Sequence, residues 1–339
     1  MSGLDDNATG EPPQRWLLAW AIALVVAVAL LAGVEIAWRA RDQAPNVLDS
    51  PQLWSAEREK VYGDSPRPLV LLGASRTEYG FDMAALRESL PDHRPVMLAI
   101  NGLYPLAVLH DLARDPDFRG TVICDVESNA FMREYAHLQQ SYVDYYHRHW
   151  TPSWRAHRLF LDAWQQAAAI SNPELGAVAT LKRLFTTTQP PQNYVVYHTD
   201  RSGDIDYTRT DPEGAKRHFA ATAESNAANM AKRAPDAWLA DIAPVFDDVR
   251  AIQARGGQVI FYESPISGFN RQIMDRLFPP ELFWNRFAAA SPAPVLSARD
   301  YPALTAFPLP DDSHIDYRNK AAYTRALVGV LKERGLLQK

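Results

Sequence analysis

The chain has 339 residues, 47% of them hydrophobic and 22% charged, enough apolar content for one substantial core and too much for disorder over most of its length. A formal net charge of −5, with no Lys/Arg-rich run and no basic-aromatic repeat, excludes the electrostatic footprint of nucleic-acid binding. The single cysteine, Cys124, excludes an internal disulfide, and its place in the apolar run Thr121-Val122-Ile123-Cys124 reads as a buried thiol.

Residues 1–15, with Asp5, Asp6, Asn7, Gly10, Pro12 and Pro13, read as a short flexible tail. Residues 16–38 are apolar except for Glu35 near the end and are bracketed by Trp16 and Trp38, the ring placement expected at two lipid interfaces. The uninterrupted stretch from Trp16 to Val34 matches the roughly 20 residues that span hydrocarbon and exceeds the ~7–15 apolar residues of a cleavable signal, so a retained transmembrane anchor is expected. Arg15 before the span and Arg39 and Arg41 after it bias the following domain toward the cytoplasm. Residues 39–66 read as a polar, partly helical stalk.

From residue 67 to 339 short apolar runs alternate with helical patterns: Leu69–Leu72 then Met83–Leu90, Val96–Ile100 then Leu106–Ala113, Thr121–Asp125, and later Val245–Ala254 then Val259–Tyr262. This is the wiring of an α/β fold, a flavodoxin-like parallel sheet with helices on both faces and functional residues at the carboxyl ends of the strands. Between about 130 and 235 the alternation stops. That stretch, with Tyr142, Tyr145, Tyr146, Trp150, Trp154 and Trp164, reads as a largely helical insertion emerging beside the carboxyl ends, its aromatics chiefly packing and some available to a substrate groove. Thr186–Asn193, with Pro190 and Pro191, reads as a loop.

The run Pro68-Leu69-Val70-Leu71-Leu72-Gly73-Ala74-Ser75-Arg76-Thr77 delivers a serine to the mouth of a helix just after a strand, where backbone N–H groups can meet an oxyanion. Its hydroxyl needs a base. Asp311-Asp312-Ser313-His314, in a proline-rich loop before an amphipathic helix from Arg318 to about Lys332, supplies His314 as that base and Asp311, three residues earlier, as the acid that orients it; Asp312 is the alternative acid. Arg76, on the opening turn after Ser75, is a candidate for binding an anionic substrate group. Glu263-Ser264-Pro265 reads first as a strand-ending turn. His147 and His149 lack a third ligand of recognisable spacing, and no glycine-rich phosphate loop occurs, so neither metal nor cofactor is expected.

These residues resemble the SGNH (GDSL-like) hydrolases, and within them the membrane-anchored cell-envelope O-acyltransferase branch. Gly73-Ala74-Ser75 looks like the first block, Asn101-Gly102 like the second, Asp311-Asp312-Ser313-His314 like the last, and the run Ala321-Ala322-Tyr323-Thr324 continues into the expected terminal helix. The resemblance implies a Ser75, His314, Asp311 triad, an oxyanion hole built from Ser75 and Gly102 with Asn101 and Asn129 as side-chain candidates, and an acyl-enzyme. It also implies a polysaccharide substrate, a membrane-bound O-acyltransferase partner, and a single-pass inner-membrane protein whose domain faces the periplasm, against the charge bias noted above. The first block departs from the family pattern, reading Gly-Ala-Ser-Arg where secreted esterases have Gly-Asp-Ser, and the third-block Asn has only Asn129 as its nearest equivalent. Those departures point to the alternative, a catalytically inactive SGNH-like scaffold that binds a membrane partner or polysaccharide.

Overall fold

A computed structural model describes residues 13–186, 193–230 and 232–337. Most of the expected tail, and the loop expected around Pro190 and Pro191, lie outside the described residues.

Five strands form one parallel sheet: β1 (Arg67–Leu72), β2 (His93–Met97), β3 (Thr121–Asp125), β4 (Gln258–Glu263) and β5 (Val295–Ser297), in the order β2-β1-β3-β4-β5. The sequence reading named four of them. At three residues, β5 is too short for apolar periodicity to register. The β2 segment starts and ends earlier than expected, although Leu98 and Ile100 beyond it still donate their backbone N–H groups to Leu71 and Gly73. Register pairs Leu71 with Met97, Leu72 with Cys124, and Asp125 with Tyr262.

Side-chain alternation along β1 divides the core. Val70 and Leu72 pack on one face with Leu109, Leu112 and Val249 from the helices Leu106–Arg114 and Ala243–Ala254. Leu69 and Leu71 pack on the other with Leu86 and Leu327 from Met83–Ser89 and Tyr317–Glu333. The chain folds into an α/β sheet covered on both faces. Cys124 is fully buried in the first of these layers, and burial pushes its thiol well above its ordinary range.

The stalk expected over residues 39–66 is corrected from residue 47 onward. Pro51–Arg58 is a helix whose Trp54 and Arg58 are fully buried, Trp54 edge-on to Tyr142 and Tyr146, and Arg58 paired with Asp111 at 2.9 Å and Asp115 at 2.8 Å. Such contacts make residues 47–66 part of the compact body. Tyr142 and Tyr146 are thereby packing residues, and His147 Nε2 donates to the Asp111 carboxylate at 2.6 Å.

The insertion carries helices at Gln140–His149, Pro152–Ala167, Ala177–Leu184 and Pro212–Asn229. It also carries an antiparallel hairpin, Val195–Tyr197 with Gly203–Ile205, which the largely helical reading did not name.

The described residues fall into two compact units: 13–46 with 164–186, and 47–163 with 193–337. In the first, the helix Pro13–Arg39 is long and apolar enough to cross a membrane, and an 18-residue apolar window of it is uncovered by protein. Its last turns are clamped: Glu35 accepts from the backbone N–H groups of Ala169 (2.9 Å) and Ile170 (3.0 Å), and Trp38 packs with Ala169 and Leu175. The sheet belongs to the second unit.

Candidate active site

In a doubly wound sheet, crevices open at the carboxyl ends of strands where the order reverses, here between β1 and β3. Ser75 sits at that point as the first residue of the helix Ser75–Gly80, two residues beyond Gly73. Gly73 is required by close approach: a Cβ there would lie 2.0 Å from Thr77 Oγ1 and 3.1 Å from Asp125 Cβ. Thr77 in turn donates to Asp125 at 2.8 Å, and Ser264 donates to the same carboxylate through its hydroxyl at 2.6 Å. Ser264 therefore ties the end of β4 to the end of β3, as a strand-ending turn would. Burial raises the Asp125 carboxyl above the ordinary range, although Arg76 and these donors pull it down.

The structure brings Ser75, His314 and Asp311 into one hydrogen-bonded chain. His314 Nε2 lies 2.8 Å from Ser75 Oγ, across 239 residues of sequence, and His314 Nδ1 lies 2.7 Å from Asp311 Oδ2. The other carboxylate oxygen, Oδ1, accepts the backbone N–H groups of His314 (2.7 Å) and Ser313 (2.9 Å), so Asp311 fixes both the ring and the loop that carries it. Burial works to raise this carboxyl, but the His314 ring and backbone donations outweigh it and hold it at about 2. An ionised carboxylate only accepts, so Nδ1 carries the proton and the neutral ring turns its Nε2 lone pair toward Ser75. The triad can thus move the serine proton to a base already in the correct tautomer.

Asp312 is turned away from the ring. Held at φ +66°, it accepts from Ser267 Oγ at 3.0 Å and from the Phe269 N–H at 3.4 Å. This removes it as the alternative acid. Arg76 lines the crevice beside Ser75, where its guanidinium ion-pairs with Glu127 and donates to Ser313 Oγ at 3.2 Å, bracing the His314 loop.

Three cavities touch Ser75, two of them large. One, of about 370 Å3, is lined by Gly102, Asn129 and Tyr104 and walled by Leu138, Met230 and Met274. The other, of about 870 Å3, is lined by Asn101, His314 and an aromatic group, Tyr79, Tyr194, Tyr197 and Phe219. Gly102 adopts φ +74°, a conformation that favours glycine, and it borders both cavities beside the nucleophile. Asn101 spends an amide N–H on the Tyr79 hydroxyl at 2.9 Å, and Asn129 spends one on Tyr104 at 2.6 Å. Asn129 carries a second N–H and so remains within the donor inventory of the crevice, whereas Asn101 is also hydrogen-bonded to Tyr197.

Sequence reasoning missed the aromatic wall. Tyr79 lies one helical turn beyond Ser75, a spacing that puts the two on one face, and its ring sits edge-on to His314 at 5.7 Å. Phe219 reaches the same imidazole at 6.2 Å from the helix Pro212–Asn229, a placement that no local pattern encodes.

Beneath the crevice lies a buried ionic cluster. Arg201, fully buried, donates to Asp49 twice at 2.8 Å and to the carbonyls of Met97 (3.0 Å) and Ala99 (2.8 Å), fixing the chain that leads from β2 into Asn101-Gly102. Glu78, three residues after Ser75, faces the same guanidinium at 3.5 Å; burial pushes its carboxyl upward, Arg201 opposes that, and Asp49 adds to it.

Fold and site define an α/β protein with a Ser-His-Asp chain at the switch point of a flavodoxin-like sheet. No protein-family model matches the sequence, and no curated protein matches it. Among solved structures it is similar to "Crystal Structure of TesA", at 12% identity and a TM-score of 0.37, over 80% of this chain and 100% of that one.

Proposed function

We propose that this chain is a membrane-anchored serine esterase or O-acyltransferase of the SGNH kind, acting on cell-envelope polysaccharide. The observation that carries the proposal is the continuous Ser75–His314–Asp311 hydrogen-bond chain. In the first half-reaction Ser75 Oγ attacks the carbonyl of an acyl ester and its proton passes to His314 Nε2. The N–H groups of Ser75 and Gly102 meet the tetrahedral oxyanion, and collapse expels the donor alcohol with the proton that His314 returns. In the second half a sugar hydroxyl or water repeats the sequence on the acyl-enzyme.

Support for a sugar comes from the cavity holding Tyr79, Tyr194 and Tyr197, since such rings offer an apolar face and a hydroxyl to a ligand. The apolar helix Arg15–Arg39 supports anchoring, which raises the domain's effective concentration beside a membrane-embedded acyl donor. We extend the proposal to a membrane-bound O-acyltransferase as partner and to the periplasmic face of an inner membrane as location.

The purified full chain in detergent is expected to hydrolyse a small acetyl ester and to be labelled by a fluorophosphonate at Ser75, and Ser75→Ala to lose both. A wild-type protein that does neither would leave the non-catalytic scaffold as the reading. That alternative has no need of a nucleophile and base at hydrogen-bond distance.

A further inference from the structure

The helix Ala177–Leu184 presents an apolar face to no part of its own unit. Val178, Leu181, Leu184 and the capping Phe185 are exposed by 72%, 56%, 76% and 84%. With about 100° of rotation per residue, these four fall within an arc of about 120°, the width of an apolar stripe that a soluble helix turns toward its core. Here the inward side is the opposite one, where Thr180 donates to the carbonyl of Leu175 at 3.2 Å and Arg183 is held by Glu174 at 3.1 Å.

The position of the helix says what covers that stripe. Leu175, two residues before the helix, packs on Trp38, and the preceding turn is bonded to Glu35, both in the last turns of the apolar helix Pro13–Arg39. The helix that carries the stripe therefore follows directly on a turn packed against the end of a segment long enough to cross a bilayer. A short helix with an apolar arc, cationic Lys182 on its flank, and a packed tie to a span at its exit has the form of an interfacial helix.

We infer that Val178, Leu181, Leu184 and Phe185 lie in the headgroup-acyl boundary of the membrane, so that this unit carries a second, in-plane contact with lipid. The inference rests on the anchored reading, and the experiment separates the two. The full chain carrying one introduced cysteine, with native Cys124 buried, is labelled with an environment-sensitive fluorophore and placed in vesicles of neutral and anionic phospholipid. Leu24→Cys reports the span, Leu181→Cys the stripe, and Ala179→Cys the opposite side of the same helix.

Lipid-borne doxyl groups are expected to quench the label at 181 as they do that at 24, and about threefold or more over the label at 179, with aqueous iodide showing the reverse order. A label at 24 that is quenched by lipid while the one at 181 stays open to iodide overturns the in-plane contact and leaves the anchor. If 24 itself is not quenched, the anchored reading fails and takes the inference with it. A label at 181 protected from iodide yet untouched by lipid quenchers assigns the stripe to a protein partner and overturns the lipid assignment.

Discussion

Replacing Asp311 by Asn tests the chemistry with little change of shape. The carboxylate makes three acceptances: His314 Nδ1 at 2.7 Å, the His314 N–H at 2.7 Å and the Ser313 N–H at 2.9 Å. An amide oxygen can keep the backbone pair, so the loop stays folded, but its NH2 then faces Nδ1 and selects the tautomer with the proton on Nε2. That ring donates to Ser75 where it should accept. The expected loss in kcat for acetyl-ester hydrolysis is on the order of 10⁴, or about 5 kcal/mol of barrier.

The same substitution alters the pH dependence of stability. The folded carboxyl, held at about 2, sits below its unfolded value of 3.8. The unfolded chain therefore binds the proton more readily, and the stabilisation, about 2 kcal/mol, is complete above roughly pH 5 and lost as pH falls toward 2. Wild type and Asp311→Asn compared by urea unfolding in detergent at pH 7 and pH 3 should differ more at pH 7. An Asn variant that keeps above about a tenth of the wild-type rate would refute the assignment of Asp311 as the orienting acid.

Gly73→Ala places a methyl 2.0 Å from the hydroxyl of a fully buried threonine that is itself bonded to Asp125, so a destabilisation of about 1–3 kcal/mol or more is expected in thermal melts. Arg201→Met leaves the Asp49 and Glu78 carboxylates without their cation and should cost about 3–5 kcal/mol in denaturant titration, with ester hydrolysis falling as well because the Met97 and Ala99 carbonyls lose the donor that fixes the turn into Gly102.

What was legible in the sequence were features with a short period or a short range. The run from Leu69 to Ser75 announces a strand, a turn and a helix within seven residues, and the three-residue spacing of Asp311 and His314 is local by nature. The hydrogen bond between Ser75 and His314 was legible only as a consequence of parallel wiring, which brings the end of β1 and the loop before the last helix to one edge of the sheet. Residues 47–66 were misread because polar letters such as Glu57 and Arg58 look solvated until Asp111 and Asp115, more than fifty positions later, are seen to neutralise Arg58. The pairing of Arg76 was illegible for the same reason, its Glu127 partner lying beyond β3. The aromatic wall around His314 is assembled from the helix Ser75–Gly80, the hairpin with the residue before it, and the helix Pro212–Asn229, and no window of sequence contains it.

The 239 residues that separate the two halves of the proton path have a consequence for how the molecule is made. A ribosome adding roughly 5–20 residues per second exposes the serine on the order of tens of seconds before the imidazole is synthesised. Throughout that interval the nascent chain holds an unactivated alcohol. On the proposed mechanism the hydroxyl gains its base only once the loop that carries the imidazole has been made and has reached the sheet edge, so a chain terminated before that loop would lack the activated nucleophile.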